Sequence, residues 1–411
     1  MQKSKDSIFQ SLGLFSFTLS IIVLIAVSGC ENPGPVGSGL TNSGADIVVD
    51  TLTLAGLDTM RVNTYAGGRS YFSAGQYNDA LFGNMSSIGM LEPLMPSAAD
   101  TLHSGDKMML RIILNGAQVY GDSTASQDFD IYEINEYWKG SDRRVKDGIK
   151  IDMNEKVGSF TIANEDSIDV DLSSNWYQKY YKYASDSKLT ASAKDSVFQH
   201  NVYGLALVAQ NSKKIIPLNA SSTRFVIARS QESDTVNVGM AKWAYSLSRS
   251  NESYPQHSVP LYSTYESILK FKLDLSNADI ESSTISRAEL IFYQNDSAME
   301  QSLQSEPSSV QRPPEKNIKL LVGDTTNIPA SIDPGSPIFT GSYDQSDGGY
   351  HMDITSLAQQ ISLGKVSKDQ QFYIALSNNG VITPSLIYSD SDQMSAKRPK
   401  IIITHLKNTN K

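Results

Sequence analysis

Apolar and polar residues alternate along most of the chain after residue 45, which is the period of a β-strand with one buried face. The segment LKFKLDL at 269–275 places four apolar side chains on one face and three charged side chains on the other. Segments 110–114, 129–131 and 288–292 show the same alternation. The pattern predicts a chain that consists mainly of short strands.

Turn-forming residues separate these segments, as at Asn115-Gly116, Asp333-Pro334-Gly335 and Asp347-Gly348-Gly349. Short strands with frequent turns are typical of an antiparallel sandwich or barrel. Helical periodicity is confined to two short runs, near 176–183 and 357–361. Ser173/Ser174 and Thr355/Ser356 precede these runs and are predicted helix caps. Residues 300–315, with three prolines, are predicted to form a long surface loop.

One order of elements occurs twice, at 167–228 and at 350–404: a strand, a short helical run, an apolar strand, a turn and a closing strand. Repetition at similar spacing indicates two copies of one unit. We therefore predict an all-β chain with two tandem antiparallel, jelly-roll-like β-sandwiches at residues 46–230 and 231–408.

The first 29 residues have the features of a secretory signal peptide. Lys3 and Lys5 precede an apolar stretch at 12–27, which is followed by Ser28-Gly29-Cys30. A membrane span usually needs about 18 or more apolar residues, more than this stretch offers. Residues 30–45, rich in Pro, Gly and Ser, are predicted to be a flexible tether.

The end of this leader, Val27-Ser28-Gly29-Cys30, resembles the lipobox of bacterial lipoproteins. That resemblance implies that Cys30 is acylated and becomes the mature N-terminus, with the lipid bilayer as a partner. The alternative is an ordinary anchor helix that happens to contain a cysteine. Cys30 is the only cysteine in the chain, which also excludes an intrachain disulfide and a thiolate metal site.

The 411 residues include 35 basic and 44 acidic ones, for a formal charge of −9, and no basic run exceeds two residues. Nucleic acid is therefore not an expected partner. The five histidines lie far apart in the sequence, without a His-x-His or His-x-x-x-His pair, and no phosphate-binding loop or Gly-x-Ser-x-Gly elbow occurs. We expect no cofactor and no catalytic residue.

Segments 267–275, 285–292, 352–355 and 398–403 are similar to the DNRLRE family of cell-surface β-sandwiches, which are related to carbohydrate-binding modules. Segments 129–134 and 168–176 resemble domains of unknown function in lipoproteins of Bacteroidota. The resemblance implies a jelly-roll sandwich at the cell surface. It transfers no catalytic residue.

Two groups of residues are candidates for binding. Asp344, Asp347 and Asp353 flank a Gly-Gly turn, where carboxylate oxygens could bind calcium. Trp176, Tyr177, Tyr180 and Tyr181 form an aromatic surface that could stack on sugar rings. The alternative for this second group is packing, because positions 176, 180 and 183 share one side of a helix.

Carboxylate pairs at 128/130, 169/171 and 390/392 occupy alternate positions on predicted strands. The ordinary interpretation is that both members of each pair lie on the solvent-exposed face of the strand. Asp-Ser/Thr followed by Ala, Ile, Leu, Val, Met or Thr occurs nine times after residue 45. This tripeptide resembles the O-glycosylation acceptor of exported Bacteroidota proteins. The alternative is that Asp-Ser/Thr starts strands after turns.

These observations predict an outer-membrane lipoprotein, exposed at the cell surface, with a non-catalytic binding or structural role. Its expected partner is a polysaccharide or another envelope protein. One alternative is a polysaccharide-degrading enzyme with two carboxyl groups facing each other across a cleft. Another is an accessory subunit of an outer-membrane assembly, which would show a large exposed apolar patch.

Overall fold

The computed structural model describes residues 45–54, 56–97, 100–276, 280, 284–322, 338–389 and 395–408. The predicted signal peptide, Cys30 and nearly all of the tether lie outside these ranges. Among the described residues, no helix has both the length and the apolar content needed to cross a membrane.

The described residues form an all-β fold of antiparallel strands. In chain order the strands are β1 (Ala45–Thr53), β2 (Asp58–Met60), β3 (Tyr71–Asp79), β4 (Gly83–Pro93), β5 (Lys107–Ile113), β6 (Tyr120–Asp122), β7 (Gln127–Ile134), β8 (Ile151–Ile162), β9 (Ser167–Asp171), β10 (Leu205–Ala209), β11 (Lys214–Asn219), β12 (Arg224–Ala228), β13 (Thr235–Val238), β14 (Met240–Ser250), β15 (Ser258–Tyr262), β16 (Ile268–Lys272), β17 (Thr284–Tyr293), β18 (Val310–Gln311), β19 (Asn317–Val322), β20 (Phe339–Asp344), β21 (Gly349–Asp353), β22 (Gln371–Leu376), β23 (Pro384–Tyr388) and β24 (Lys400–Asn408).

The helices are short and lie between strands. They are α1 (Ser174–Ala184), α2 (Ala191–Asn201), α3 (Asp296–Gln301) and α4 (Thr355–Ser362), with single 3-10 turns at Gly116–Gln118 and Ser395–Lys397.

The first sandwich consists of two sheets. One has the order β18-β6-β11-β3-β4-β10-β7-β8, with β14 also paired to β4, and the other has the order β13-β12-β5-β9. Apolar side chains from both sheets meet in one core, for example Phe72 and Leu91 with Leu110 and Phe225. This core is the predicted consequence of alternation, because each strand turns its apolar side chains towards the facing sheet.

The second sandwich is built on one curled nine-stranded sheet, of order β1-β24-β17-β21-β20-β19-β22-β16-β2. Its buried face includes Leu269, Phe271, Leu290 and Met352. The two-stranded sheet β15-β23 and helix α4 contribute further residues to this core.

Strand pairing crosses the boundary predicted between residues 230 and 231. Strands β1 and β2 pair with β24 and β16 of the second sandwich, whereas β14 pairs with β4 of the first. The first sandwich is thus inserted after β2 of the second, and the units 46–230 and 231–408 exchange strands. Alternation of side chains indicates which face of a strand is buried but does not indicate its neighbour, so the sequence did not reveal this exchange.

Two local predictions need correction. Thr355 and Ser356 do not cap helix α4, which begins at Thr355 with Ile354 as its N-cap residue. The Thr355 hydroxyl instead accepts a hydrogen bond from the Ala288 N–H and donates one to Asp353. Residues 300–315 are not a plain surface loop. They contain the end of α3 and strand β18, which pairs with β6.

Candidate functional site

The predicted aromatic surface lies largely inside the protein. Ser173 caps α1 by accepting from the Trp176 N–H at 3.3 Å, and the helix turns Trp176, Tyr177 and Tyr180 into the core. All three are at most 1% exposed. Tyr181 is half-buried and stacks on Tyr177 with 6.0 Å between ring centroids. The faces of the three buried rings cannot contact a ligand, so this prediction of a binding surface is wrong for them.

A different group of rings lies at the surface, near the end of β7. The Tyr137 side chain is 49% exposed. Its ring stacks on His200, with centroids 5.7 Å apart and planes inclined by 25°, and meets Tyr203 edge-on at 6.3 Å. We call Tyr137, His200 and Tyr203 the aromatic rim.

The residues beneath the aromatic rim fix its position. Trp138 is buried, and its Nε1–H donates to the Tyr203 carbonyl at 2.7 Å. The Lys242 ammonium lies 5.1 Å from the Tyr137 ring centroid and 4.9 Å from the Trp138 centroid, which are cation–π distances. These contacts hold Tyr137 in place while leaving about half of it open to solvent.

Lys242 in turn forms an ion pair with Glu92, whose carboxylate is fully buried, at 2.8 Å. Burial raises the pKa of Glu92 to about 7, although the Lys242 ammonium acts in the opposite direction. The aromatic rim therefore lies above a buried carboxyl group whose charge changes near neutral pH.

A cavity of about 250 Å³ lies beside the aromatic rim and includes Tyr203 in its wall. We call it the rim pocket. Its wall is mostly polar and is formed by Glu133, Ile134, Asn135, Lys179, Lys182, Tyr183, Asn201, Val202 and Tyr203. The Lys179 ammonium donates to both oxygens of the Glu133 carboxylate, at 2.7 and 2.9 Å.

Three separate parts of the chain build the rim pocket. The end of β7 supplies Glu133, and the segment after it supplies Asn135. Helix α1 presents Lys179, Lys182 and Tyr183, which share a side because residues three and four apart are neighbours on a helix. The end of α2 supplies Asn201. Lys179 and Lys182 occupy exposed positions of the run 176–183, and the prediction for this run covered only its rings.

A second cleft, of about 640 Å³, is lined by residues 247–252 at the end of β14, by Arg61, by Lys146 and by Glu266. The Arg249 guanidinium lies between two carboxylates, 3.7 Å from Glu252 and 3.2 Å from Glu266. Arg61 donates to both oxygens of Glu252, at 2.7 and 3.3 Å. Asn251 and Tyr265, the residues just before these carboxylates, have φ angles of 59° and 57°.

The carboxylate pairs named from sequence lie on strand surfaces with local partners. Asp169 accepts two hydrogen bonds from Arg111, Asp130 pairs with Lys156 at 2.6 Å, and Asp128 accepts from Thr161 at 2.6 Å. Asp171 is exposed. The pair at 390/392 lies outside the described residues.

The three predicted calcium ligands do not come together as a set. Asp353 accepts from the Thr355 N–H at 2.9 Å and from its hydroxyl at 2.6 Å. The structure instead groups Asp344 and Asp347 with His351. Asp353 lies two residues beyond His351 on β21, which places it roughly 7 Å further along the strand.

The Asp-Ser/Thr tripeptides lie at accessible positions. Of the eight within the described ranges, six have an exposed hydroxyl residue: Thr51, Thr101, Ser167, Ser196, Thr235 and Ser297. Thr59 and Ser123 are half-buried, and the ninth tripeptide, at 324–326, lies outside these ranges. Accessibility fits glycosylation and strand initiation equally, so both alternatives stay open.

No known protein family and no curated protein matches this chain. It is similar to a solved structure of a Parabacteroides distasonis protein described as secreted. The alignment covers 88% of each chain at 11% sequence identity, with a TM-score of 0.18. At that TM-score the likeness carries no argument about fold or function.

Proposed function

We propose that this protein is a cell-envelope lipoprotein, anchored to the outer membrane through acylated Cys30, that binds polysaccharide without cleaving it. The anchoring half of the proposal rests on the sequence from Lys3 to Cys30. The binding half rests on one observation: a half-exposed aromatic ring, Tyr137, stands beside a polar pocket.

Sugar rings have apolar C–H faces and a rim of hydroxyl groups. An exposed aromatic face stacks on the C–H faces, and amide or carboxylate side chains form hydrogen bonds with the hydroxyl groups. About half of the Tyr137 side chain is open to such a contact, and Glu133, Asn135 and Asn201 in the rim pocket offer such polar groups. Because Tyr137 is held by His200 and Lys242, stacking on it costs little conformational entropy.

The charges of the rim pocket favour an acidic polysaccharide. Lys179 is neutralised by Glu133. The Lys182 ammonium lies 5.5 Å from the Tyr183 ring centroid and, within the described residues, forms no ion pair. It can therefore pair with a sugar carboxylate at the pocket wall.

The test is a screen of the purified full chain against neutral and acidic polysaccharides, in which binding is measured by affinity electrophoresis and cleavage by release of reducing ends. We expect retarded migration with acidic polysaccharides and no release. Tyr137→Ala should weaken the retardation, whereas Leu363→Ala, at a 68% exposed position of the other sandwich, should not. Retardation that is unchanged in Tyr137→Ala would place binding elsewhere.

The cleft around Arg249 supports a second candidate, a polysaccharide-degrading enzyme. Glu252 and Glu266 are two carboxylates at one cleft, and non-glycine residues with positive φ precede both. Such backbone conformations cluster at functional sites. In the present arrangement Arg249 lies between the two groups. Release of reducing ends that is lost in Glu266→Gln would favour this candidate over the first.

The accessory-subunit alternative rests on β1. Ile47 and Val49 point to the same side of this edge strand and are 61% and 60% exposed. An exposed apolar strand edge can pair with another chain. This role would be favoured if a partner protein co-purifies with the wild type but not with Val49→Lys, and if the wild type binds no polysaccharide.

A further inference from the structure

Three potential metal ligands meet at the β20–β21 hairpin. One oxygen from each of Asp344 and Asp347 and one ring nitrogen of His351 all lie within 4.8 Å of one another. The tight turn between the strands brings Asp344, at the end of β20, close to Asp347 in the turn. Asp344 is exposed, and the Asp347 and His351 side chains are 38% and 25% exposed, so a dissolved ion can reach the group.

Carboxylate oxygens lie next to both ring nitrogens of His351, an arrangement that favours a bound cation. Its Nδ1 lies 3.1 Å from Glu289 Oε1, and its Nε2 lies 3.0 and 3.1 Å from the two oxygens of Asp347. A neutral imidazole has one N–H. One ring nitrogen therefore directs a lone pair at a carboxylate, unless a proton or a metal ion lies between them.

Gly349 leaves space at this point. A Cβ atom at this position would lie 2.9 Å from His351 Nε2, closer than real Cβ atoms approach, and 3.0 Å from Asp347 Oδ1, which is also a tight contact. The Gly349 N–H also donates to Asp347 Oδ1 at 2.9 Å, which orients that carboxylate. Any larger residue would crowd both ligand atoms and force at least one of them to move.

We propose that Asp344, Asp347 and the His351 Nε2 atom bind a divalent transition-metal ion, with Zn²⁺ as the best fit. Glu289 is then a positioning residue: its carboxylate holds the Nδ1–H and leaves Nε2 free for the metal, the usual arrangement around metal-bound histidines. An imidazole together with carboxylates suits Zn²⁺, whereas Ca²⁺ takes six to eight oxygen ligands. The nearby Lys397 ammonium donates to the Asp347 backbone carbonyl and does not occupy the ligand atoms.

The experiment is a calorimetric titration of the full chain with ZnCl₂ and, separately, with CaCl₂. We expect one Zn²⁺ per chain and weaker binding of Ca²⁺. His351→Ala and Gly349→Ala should remove the Zn²⁺ isotherm, and Glu289→Gln should weaken it about 10- to 100-fold while keeping all three ligands. Asp353→Asn is the matched control on the same hairpin and should bind as the wild type does.

Zn²⁺ binding that is unchanged in both His351→Ala and Gly349→Ala would overturn the proposal, as would tighter binding of Ca²⁺ than of Zn²⁺. Absence of a Zn²⁺ isotherm from the wild type would overturn it as well. Far-ultraviolet circular dichroism identifies any variant that fails to fold. In that case Glu289→Gln, which only alters the positioning contact, decides the result. This test is independent of polysaccharide binding.

Discussion

Arg312 and Asp79, 233 residues apart in sequence, form a buried two-pronged ion pair. The Arg312 Nε and Nη2 atoms donate to Asp79 Oδ2 and Oδ1 at 2.7 and 2.8 Å, and the two side chains are 4% and 1% exposed. Tyr120 donates a further hydrogen bond to Asp79 at 2.8 Å. The pair fastens the segment after β18 to the end of β3 in the first sandwich.

Removal of one side chain of the Arg312–Asp79 ion pair should lower the free energy of unfolding. In Arg312→Met the Asp79 carboxylate stays buried without its counter-charge, and we expect the free energy of unfolding to fall by about 3–5 kcal/mol. Lys272→Met is the matched control, because Lys272 and Asp369 form an exposed pair at 3.0 Å and the loss there should be at most about 1 kcal/mol. Urea denaturation compares the two, and equal losses would refute the structural role of Arg312.

The same pair predicts a pH dependence. Burial alone would raise the pKa of Asp79, but the hydrogen bonds and charge of Arg312 outweigh it and lower the pKa below its usual value. The stabilisation from this group is therefore present above the ordinary carboxyl pKa of about 3.9 and is lost as the pH falls through the lower folded value. Below about pH 4 the wild type should approach the stability of Arg312→Met, as urea midpoints across acidic buffers can show.

The buried Glu92 carboxyl group predicts the opposite pH dependence of stability. Burial raises its pKa to about 7, so the folded protein keeps this proton at pH values where the unfolded chain, with a pKa of about 4.3, has released it. The unfolded state is favoured as the pH rises from about 4 to 7, and stability falls over that range. Glu92→Gln should remove this slope, whereas Glu155→Gln, at an exposed position on β8, should keep it. Parallel stability curves for all three proteins would contradict the buried titration.

The proposed acylation of Cys30 makes a separate prediction about membrane attachment. Cys30→Ser should abolish labelling by fatty acid and move the protein from the membrane fraction to the soluble fraction, because a hydroxyl cannot replace the acylated thiol. Ser28→Ala keeps a small residue before Cys30 and should retain both the label and the location. A Cys30→Ser protein that is still labelled and still membrane-bound would remove the basis for the lipoprotein assignment.

The sequence predicted the class of the fold because alternation is a local signal. Leu269, Phe271, Leu273 and Leu275 are all at most 5% exposed, as the pattern of 269–275 requires. Ser173 caps α1 as predicted, because a serine before an amphipathic run acts within one turn. Each of these features depends on residues that are near neighbours in the chain.

What the sequence did not predict depends on distant partners. The pairing of β1 with β24 and the contact of Arg312 with Asp79 each join residues more than 200 positions apart, and no local pattern identifies such partners. The aromatic rim was missed because Tyr137 and His200 become neighbours only when α2 packs near the end of β7. His351 was missed as a ligand because its proximity to Asp347 depends on the turn between β20 and β21.

Polysaccharide binding at the aromatic rim is tested most directly by titration of an acidic polysaccharide identified in the screen into wild-type protein, Tyr137→Ala and Leu363→Ala. Loss of one stacking aromatic removes about 1 kcal/mol or more, so we expect affinity to fall at least about fivefold in Tyr137→Ala. Leu363→Ala should match the wild type. Equal affinities for the wild type and Tyr137→Ala would contradict the proposed site.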